Sequence, residues 1–329
     1  MAALGVRLDP VPQITPKDSL ELALLAEERG YEMVWVPEGG GRDSLTQLAA
    51  FAMATSRIRL GTGILPIFSR TPTLTAMSAA GMDIISNHRF ILGLGVGHQG
   101  SVEGAHGIPF QKPMTRIKET VEIVRRLLKG EQASYQGKVF DVKSGSLGFA
   151  HEVHVPIYIA ALGPQMIELA GEVADGVLLN WAAPSYLQEA LDHLQRGAAR
   201  AGRDPEEIDV ACYIRVAVTV DEEAVRAPLR QQILRYSGMD YYRSFFEKTG
   251  FGEEAQAIGR YLAEGDRDKA AAAVSDGMQR QLAVFGGAEF CRQEINKRRS
   301  LGVKMPVIAP FAVGGAVNSY RATIEAFSS

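Results

Sequence analysis

Gly61-Thr62-Gly63-Ile64-Leu65-Pro66 is the stretch of sequence that decides the fold. Its first residues belong to an apolar strand, predicted over residues 58–64, and its glycines predict a bend where that strand ends. A helical pattern begins soon afterwards, at residue 73, behind Ser69-Arg70-Thr71-Pro72. A strand that bends and then gives way to a helix is typical of a parallel α/β barrel, whose active site lies at the carboxyl ends of the strands. We therefore expect a barrel enzyme with its chemistry near this bend.

Short apolar runs alternate with amphipathic patterns through the rest of the chain. The apolar runs predict eight strands, at residues 4–8, 33–36, 58–64, 90–94, 157–161, 177–179, 210–220 and 307–311. The helical patterns that follow them lie at residues 16–29, 44–54, 73–85, 113–128, 165–173, 186–201, 222–235 and 317–327. Eight such units predict an α/β fold, a closed (β/α)8 TIM barrel formed by residues 1–329 as a single domain.

Two segments are too long for the loops that usually join a strand to a helix. Residues 130–156, after helix four, contain a Gln136-Gly137 turn between two strand-like runs, which predicts a small hairpin. Residues 237–276, between strand seven and helix eight, are aromatic at their start and alanine-rich at their end, which predicts extra helices. Such insertions serve either as packing or dimer-contact surface or as a lid over the barrel mouth, and the sequence leaves both open.

Composition restricts the class of protein. The 329 residues carry a formal net charge of -3, which gives no positive surface for nucleic acid or for an anionic membrane. Cys212 and Cys291 are far apart and lack metal-binding spacing, as is typical of a reducing compartment. No apolar run is long enough to span a membrane, and the N-terminus lacks a signal-peptide pattern. We expect a cytoplasmic enzyme whose partners are a small molecule and a second copy of the chain.

The residues that follow the predicted strands are the candidates for chemistry, because they line the barrel mouth. Three ionisable side chains among them, Glu38, His98 and Glu103, are the candidate catalytic proton carriers. His151 and His154 lie in the first inserted segment and are predicted to be surface residues. The sequence contains no metal-ligand spacing and no Ser/His/Asp arrangement, so no metal is expected. A bound redox cofactor is then the expected reagent.

Glycines recur at the predicted rim, including Gly63, Gly95 and Gly97, and suit a flat ligand or a phosphate that approaches the main chain. The stretch Gly95-Val96-Gly97-His98-Gln99-Gly100 also matches the dinucleotide fingerprint G-x-G-x-x-G. We reject a Rossmann fold, because residues 103–109 are predicted to be a loop and no carboxylate ends a strand about 20 residues further on.

The turn Ala161-Leu162-Gly163-Pro164-Gln165-Met166 joins the fifth strand to its helix. A helix that starts after a glycine, with free amides in its first turn, suits an anion. Ordinary capping is the more frequent use of such residues, but the rim position favours phosphate binding. Asn180 and Trp181 follow the sixth strand at the same rim.

Three motifs in order resemble the bacterial luciferase-like superfamily of flavin and deazaflavin (F420) oxidoreductases. They are Ala26-Glu27-Glu28-Arg29-Gly30-Tyr31-Glu32-Met33-Val34-Trp35-Val36-Pro37-Glu38, Arg59-Leu60-Gly61-Thr62-Gly63-Ile64 and Arg89-Phe90-Ile91-Leu92-Gly93-Leu94-Gly95. The chain most resembles the F420-dependent branch near methylene-tetrahydromethanopterin reductase, through residues 93–98, Val102-Glu103-Gly104, His106-Gly107 and residues 161–166.

This resemblance implies a cofactor-binding set at the rim. The set is Gly63, Ile64, Leu65, Gly95, Gly97, His98, Ala161, Leu162, Gly163, Pro164, Gln165, Met166 and Asn180. The resemblance also implies a non-prolyl cis peptide at Gly63–Ile64 beneath the deazaflavin ring, and a phosphate at residues 162–166. Many F420 sugar-phosphate and alcohol dehydrogenases have Asp-His after strand two, where this chain has Glu38-Gly39. A histidine acid/base role is therefore not transferred to position 39.

The expected function is that of an F420-dependent oxidoreductase, which transfers a hydride between the deazaflavin and a small organic substrate. An FMN-dependent luciferase-like monooxygenase is the alternative within the same fold. A non-catalytic flavin-binding barrel is the alternative from another class, because few rim residues are ionisable. The resemblance also implies a homodimer.

Overall fold

The structure is a computed structural model that describes residues 3–39, 41–148 and 154–327. Its strands are β1 (Gly5–Arg7), β2 (Met33–Val36), β3 (Arg59–Thr62), β4 (Leu65–Pro66), β5 (Phe90–Gly95), β6 (Ala133–Gln136), β7 (Asp141–Gly145), β8 (Ile157–Ala161), β9 (Gly176–Asn180), β10 (Asp209–Val218), β11 (Ala283–Gly286) and β12 (Met305–Pro310). Its helices are α1 (Pro16–Glu28), α2 (Ser44–Ala54), α3 (Pro72–Ile85), α4 (Gln99–Gly104), α5 (Pro113–Leu128), α6 (Pro164–Val173), α7 (Pro184–Arg200), α8 (Glu223–Ser237), α9 (Asp240–Lys248), α10 (Gly252–Ala263), α11 (Arg267–Ala272), α12 (Asp276–Leu282), α13 (Ala288–Ser300) and α14 (Ala316–Ala326).

Eight of these strands close into a parallel barrel. Their order around it is β1, β2, β3, β5, β8, β9, β10 and β12, and β12 returns to pair with β1. The eight predicted strands and their eight helices lie within two residues of the predicted bounds at either end. The (β/α)8 TIM barrel is therefore confirmed.

One βα unit, formed by β11 and α13, was not predicted. β11 pairs in parallel with the last part of β10, from Arg215 to Val218, and lies beside the barrel rather than within its wall. A four-residue apolar run directly after a helix gives no separate periodic signal. The helix that follows buries only Cys291, Ile295 and Arg298, so its apolar stripe is equally weak.

The two inserted segments contain different structures. The first contains the antiparallel hairpin β6–β7, and the Glu119 carboxylate on α5 accepts the amides of Lys138, Val139 and Phe140 in its turn at 2.6, 3.1 and 2.9 Å. His154 is exposed near its end, whereas His151 lies outside the described residues. The second segment forms α9, α10 and α11.

The barrel interior is filled by side chains from alternate strand positions. Trp35 is fully buried there, and its ring centroid lies 5.5 Å from that of Tyr158 and 6.4 Å from that of Tyr213. A Cβ atom at Gly61 would lie 2.6 Å from Trp35 Cε3, so this glycine makes room for the indole. The interior is thus packed against the backbone on the β3 side.

No helix within the described ranges combines the length and the apolar character that crossing a bilayer requires. Cys212 and Cys291 are both free and buried. Burial raises the pKa of each thiol to about 11, so neither is prepared to act as a nucleophile.

Gly61→Ala tests the packing of the interior. The added methyl group overlaps the Trp35 ring, and neither the strand backbone nor the enclosed indole can move aside freely. We expect the free energy of unfolding to fall by about 2 kcal/mol, the usual scale for overpacking a core. Gly39→Ala is the matched control, because a Cβ there meets nothing within 4 Å. Denaturant unfolding of both variants measures the difference, and equal stabilities would contradict the packing argument.

Candidate active site

A layer of polar side chains lies above the aromatic interior, at the barrel mouth. Arg7 and Asn180 are the last residues of β1 and β9, and Arg215 lies on β10 two residues beyond the inward-facing Tyr213. These positions are one alternation beyond apolar and aromatic interior residues such as Leu178 and Tyr213. Arg215 donates a hydrogen bond to Asn180 Oδ1. The Arg7 guanidinium lies 4.8 Å from the Tyr213 ring centroid. The interior therefore changes from apolar to charged within one layer.

Arg215 is a buried cation without a carboxylate partner among the described residues. Its relative exposure is 3%, and its Cζ atom lies 3.7 Å from the Trp181 ring centroid. Burial lowers the pKa of its guanidinium. Stacking on an aromatic face partly replaces the lost hydration, because the ring face carries negative charge density. Arg215 is thus held by a ring and an amide, and its charge is not neutralised.

Arg7 pairs with Asp9, the one carboxylate that contacts this layer among the residues that the structure describes. Its Nε and Nη2 atoms contact Asp9 Oδ1 at 2.8 and 2.6 Å. The two guanidiniums and the single carboxylate leave one net positive charge at the mouth. Such a mouth favours negative charge on a bound ligand or on a reacting atom.

Four rings form one wall of the mouth. Tyr236, the penultimate residue of α8, lies with its centroid 5.2 Å from Trp181, 4.7 Å from Tyr242 and 6.3 Å from His98. Tyr242 on α9 accepts a hydrogen bond from Asn180 Nδ2 at 2.8 Å. Trp181 has φ of 56°, a left-handed backbone that bulky residues rarely adopt, and its contacts with Arg215 and Tyr236 hold it there. The second inserted segment therefore begins at the mouth itself.

The three sequence-predicted proton carriers lie in different surroundings. His98 belongs to the ring wall, with an exposed side chain, and its pKa is lowered by partial desolvation and by repulsion from Arg235 and Arg7. Glu38 Oε2 instead accepts hydrogen bonds from the Ser44 amide and hydroxyl at 3.4 and 3.2 Å and pairs with Arg70 at 3.3 Å.

Glu103 is engaged in local structure as well. Its exposed carboxylate accepts the Phe110 amide at 3.1 Å and the Gln99 side-chain amide at 3.2 Å. α4 contains Gly100 and Glu103, so it includes the first two residues of the segment 103–109 that was predicted to be a loop. The prediction of a loop is wrong for these two residues and correct for residues 105–109, which are not helical. The closed parallel barrel excludes a Rossmann fold by itself.

The bend after β3 departs from one expectation. No cis peptide bond occurs among the described residues, so the bond between Gly63 and Ile64 is trans and the predicted cis peptide is wrong. The trans backbone is held by three hydrogen bonds, from the Gly63 amide to Val36 O at 2.7 Å, from the Glu38 amide to Ile64 O at 3.3 Å and from Tyr213 Oη to Gly63 O at 3.2 Å.

Side-chain packing within the protein explains why glycine occurs at the rim after β3 and at the end of β5. A Cβ at Gly63 would overlap Tyr213 Oη, and a Cβ at Gly95 would lie 2.8 Å from Ile64 Cδ1. A side chain at either position would therefore displace a neighbouring side chain, independently of any ligand. Ile64 is half-buried beside Gly95, Leu65 is buried in β4, and Gly97 has a left-handed φ of 71°.

The turn from β8 to α6 has the form expected of an anion site. Gly163 is the N-cap of α6 and no side chain caps the helix. A Cβ at Gly163 would meet only Tyr241 Oη, at 3.7 Å, and the Gly163 amide donates to that same phenol at 3.3 Å. Pro164 and Gln165 are exposed, whereas Ala161, Leu162 and Met166 are buried and fix the turn. Tyr241 therefore stands over the uncapped helix end.

Arg7, Asp9, Arg215, Tyr236 and Tyr242 were not identified from the sequence. A charge inside an otherwise buried strand is a usable signal, and both Gly5–Arg7 and Asp209–Val218 contain an arginine. No local pattern indicates that Tyr236 and Tyr242 fold back onto the mouth.

A cavity of about 410 Å³ lies away from this cluster, between the start of α7, β11 and α13. Phe285, Phe290, Arg280 and Lys297 contribute to its lining, and none of the mouth residues does. The candidate active site is therefore located by its polar layer at the strand ends and not by cavity volume.

Known proteins resemble this chain along nearly its whole length. The profile of the luciferase-like monooxygenase family matches residues 2–305. A 5,10-methylenetetrahydromethanopterin reductase of Methanolobus tindarius is 35% identical over 311 residues, which are 93% of this chain and 92% of the relative. A putative coenzyme F420-dependent oxidoreductase of Mycobacterium tuberculosis is 28% identical over 330 residues, covering 93% and 94% of the two chains.

A solved structure agrees with these relatives. The coenzyme F420 dependent tetrahydromethanopterin reductase of Methanopyrus kandleri aligns with a TM-score of 0.78 at 27% identity, covering 99% of this chain and 98% of that one. The chain therefore belongs to the luciferase-like monooxygenase family of oxidoreductases.

Proposed function

We propose that this protein is an F420-dependent oxidoreductase that transfers a hydride between the deazaflavin and a small organic substrate. The observation that carries the proposal is the similarity, with a TM-score of 0.78 and 27% identity over 99% of the chain, to a coenzyme F420 dependent reductase. When bound, F420 supplies or accepts a hydride at its ring. The remaining chemistry then belongs to the residues of the mouth.

The rim residues fit the two parts of such a cofactor. The uncapped start of α6, with its open Gly163, suits a phosphate, because free helix amides and the helix dipole attract anions. Ile64, half-buried beside Gly95, offers an apolar contact for a flat ring. We assign residues 161–166 to the phosphate side, and Gly63, Ile64, Leu65, Gly95, Gly97 and His98 to the ring side.

The contacts of the three proposed acid/base residues leave one of them as the best candidate. Among Glu38, His98 and Glu103, only His98 contacts the ring wall and remains open to solvent. The carboxylates of Glu38 and Glu103 accept hydrogen bonds from backbone amides of neighbouring segments, and these bonds fix the conformation of the loops. Asn180 orients Arg215 and Tyr242 toward the mouth, and we assign it to the substrate side of the cofactor.

A cofactor titration separates the candidate functions. We expect purified protein to bind oxidised F420 tightly and FMN weakly, followed by fluorescence quenching at one ionic strength. Tight FMN binding with oxygen-consuming turnover would instead establish an FMN-dependent monooxygenase. Tight binding of F420 without any turnover in a substrate screen would leave a non-catalytic flavin-binding barrel.

Gly163→Asp tests the phosphate position. Aspartate is a favourable N-cap, so the fold should be retained, but its carboxylate caps the amides and repels a phosphate. We expect the dissociation constant for F420 to rise about tenfold or more, equivalent to about 1.4 kcal/mol. Gly287→Asp is the matched control, because Gly287 is the uncapped glycine N-cap of α13 and is equally open. If only Gly287→Asp lost F420 binding, the phosphate site would lie at the start of α13 and the assignment to α6 would be wrong.

We also propose that the protein is a homodimer, formed through α3. Leu74, Met77 and Ile84 lie on this helix at spacings of a single face and are 44%, 54% and 55% exposed. Met53 on α2 is 78% exposed. Exposed apolar side chains in such a group mark association surfaces. This group lies on the barrel helices and not on the inserted segments, where a dimer contact was expected.

Met77→Glu tests this interface by burying a charge in it. We expect wild-type protein to have a dimeric mass in light scattering at micromolar concentration, and the variant to have a monomeric mass. Phe290→Glu, at an exposed apolar residue of α13, should leave the dimer intact. A monomeric wild type would contradict the proposal.

A further inference from the structure

Tyr236 is the ring of the wall that lies between two cations. The Arg215 Cζ atom is 5.5 Å from its ring centroid, and the Arg7 guanidinium is near enough to lower the pKa of its phenol. Tyr236 is only half-buried, whereas Tyr213 and Tyr242 are 5% and 7% exposed. Of these three phenols, Tyr236 is therefore the one that a ligand in the mouth can contact.

The charges that face Tyr236 come from several elements. β1 and the residues after it contribute Arg7 and Asp9, β10 contributes Arg215 and the neutral Tyr213, and α9 contributes the neutral Tyr242. His98 faces Tyr236 from the N-cap of α4, and Arg235 precedes it on α8. Asn180 at the end of β9 and Trp181 after it are uncharged. The positive charges near the phenol thus outnumber the negative ones, which stabilises its ionised form.

The balance of effects on Tyr236 differs from that on its neighbours. Burial alone would raise the pKa of its phenol, but Arg215 and then Arg7 act against burial and the pKa is lowered below its ordinary value. Burial raises the pKa of Tyr242 and of Tyr213. A phenol that ionises more easily than usual, at the edge of a mouth, is suited to general acid and base catalysis.

We propose that Tyr236 is the catalytic acid of this site, and that it protonates the heteroatom of a carbonyl or imine substrate while Arg7 and Arg215 stabilise the resulting tyrosinate. This inference rests on the proposed function, in which reduced deazaflavin is the hydride donor. It also assigns the substrate a polar double bond. The same two guanidiniums disfavour a cationic substrate.

Each bond that breaks in the proposed proton transfer is matched by a bond that forms. As the substrate carbon receives the hydride, the π electron pair of its C=O or C=N bond moves to the heteroatom. The O–H bond of Tyr236 breaks and a heteroatom–H bond forms, which leaves an alcohol or an amine and a tyrosinate. Solvent then returns one proton to Tyr236, and the exposed His98 ring beside it offers a route. In the oxidation direction, the tyrosinate accepts the same proton.

Four other candidate acids are engaged elsewhere or buried, whereas His98 has the relay role given above. The Tyr213 phenol donates to Gly63 O at 3.2 Å, and Tyr242 accepts from Asn180 at 2.8 Å. The Glu38 and Glu103 carboxylates hold backbone amides. Tyr236 is therefore assigned both by its own surroundings and by the commitments of its neighbours.

Ultraviolet titration of tyrosinate tests the acidity of Tyr236 in the purified protein without cofactor or substrate. We expect one tyrosine to ionise clearly below the ordinary value of about 10 in the wild type, and this step to be lost in Tyr236→Phe. Tyr261→Phe is the matched control, because Tyr261 is also half-buried beside two cations, Arg260 and Lys269, but lies on α10. Arg215→Gln should move the step to higher pH. A titration curve unchanged in Tyr236→Phe would overturn the proposal.

Kinetics test the role of that proton. With reduced F420 and a panel of ketones, aldehydes, imines and unpolarised alkenes, we expect turnover of carbonyl or imine compounds by the wild type. Tyr236→Phe should bind F420 as the wild type does and lose about a hundredfold in kcat, with loss of the alkaline limb in its pH profile. Turnover confined to alkenes, or a Tyr236→Phe rate within twofold of the wild type, would overturn the proposal. Failure of all forms to bind F420 would reject the proposed function, and the titration would still decide whether Tyr236 is acidic.

Discussion

The stack of Arg215 on Trp181 is the interaction on which the mouth depends. A guanidinium that is 3% exposed needs compensation for the hydration it has lost, and it finds the Trp181 ring face, the Asn180 side-chain carbonyl and the Tyr236 ring. Those contacts in turn hold Trp181 in its left-handed backbone and orient Asn180 toward Tyr242. One buried charge thus fixes the positions of residues from β9, α8 and α9.

The charge is tolerated because the barrel beneath it is rigid. Trp35 and the two tyrosines that meet it fill the interior, and Gly61 on β3 provides the space that the indole needs. A well-packed floor cannot collapse onto the polar layer, so the guanidiniums remain fixed relative to one another. Electrostatic preorganisation of this kind is effective because no dipole has to reorient during reaction.

Much of the fold could be predicted from the sequence, since each βα unit has its own local pattern of an apolar run followed by an amphipathic helix. The unit β11–α13 could not, because its strand is short and its helix buries few residues. The site was predicted less completely. Position after a strand identified His98 correctly as a residue near the mouth, but the same rule selected Glu38 and Glu103, whose capping partners depend on tertiary contacts. Tyr236 and Tyr242 reach the mouth only through the path of α8 and α9, and no local pattern encodes that path.

The glycines of the barrel wall determine where the shape of the mouth can change. On the β3 and β5 side, the interior is filled up to the main chain, and even a methyl group at Gly63 or Gly95 meets an occupied position. On the opposite side, the mouth is bounded by whole side chains from α8 and α9, which can be shortened without exposing a strand. Divergence of substrate preference among proteins with this barrel is therefore expected to concentrate in the helical insertion, while the β3–β5 side stays constant.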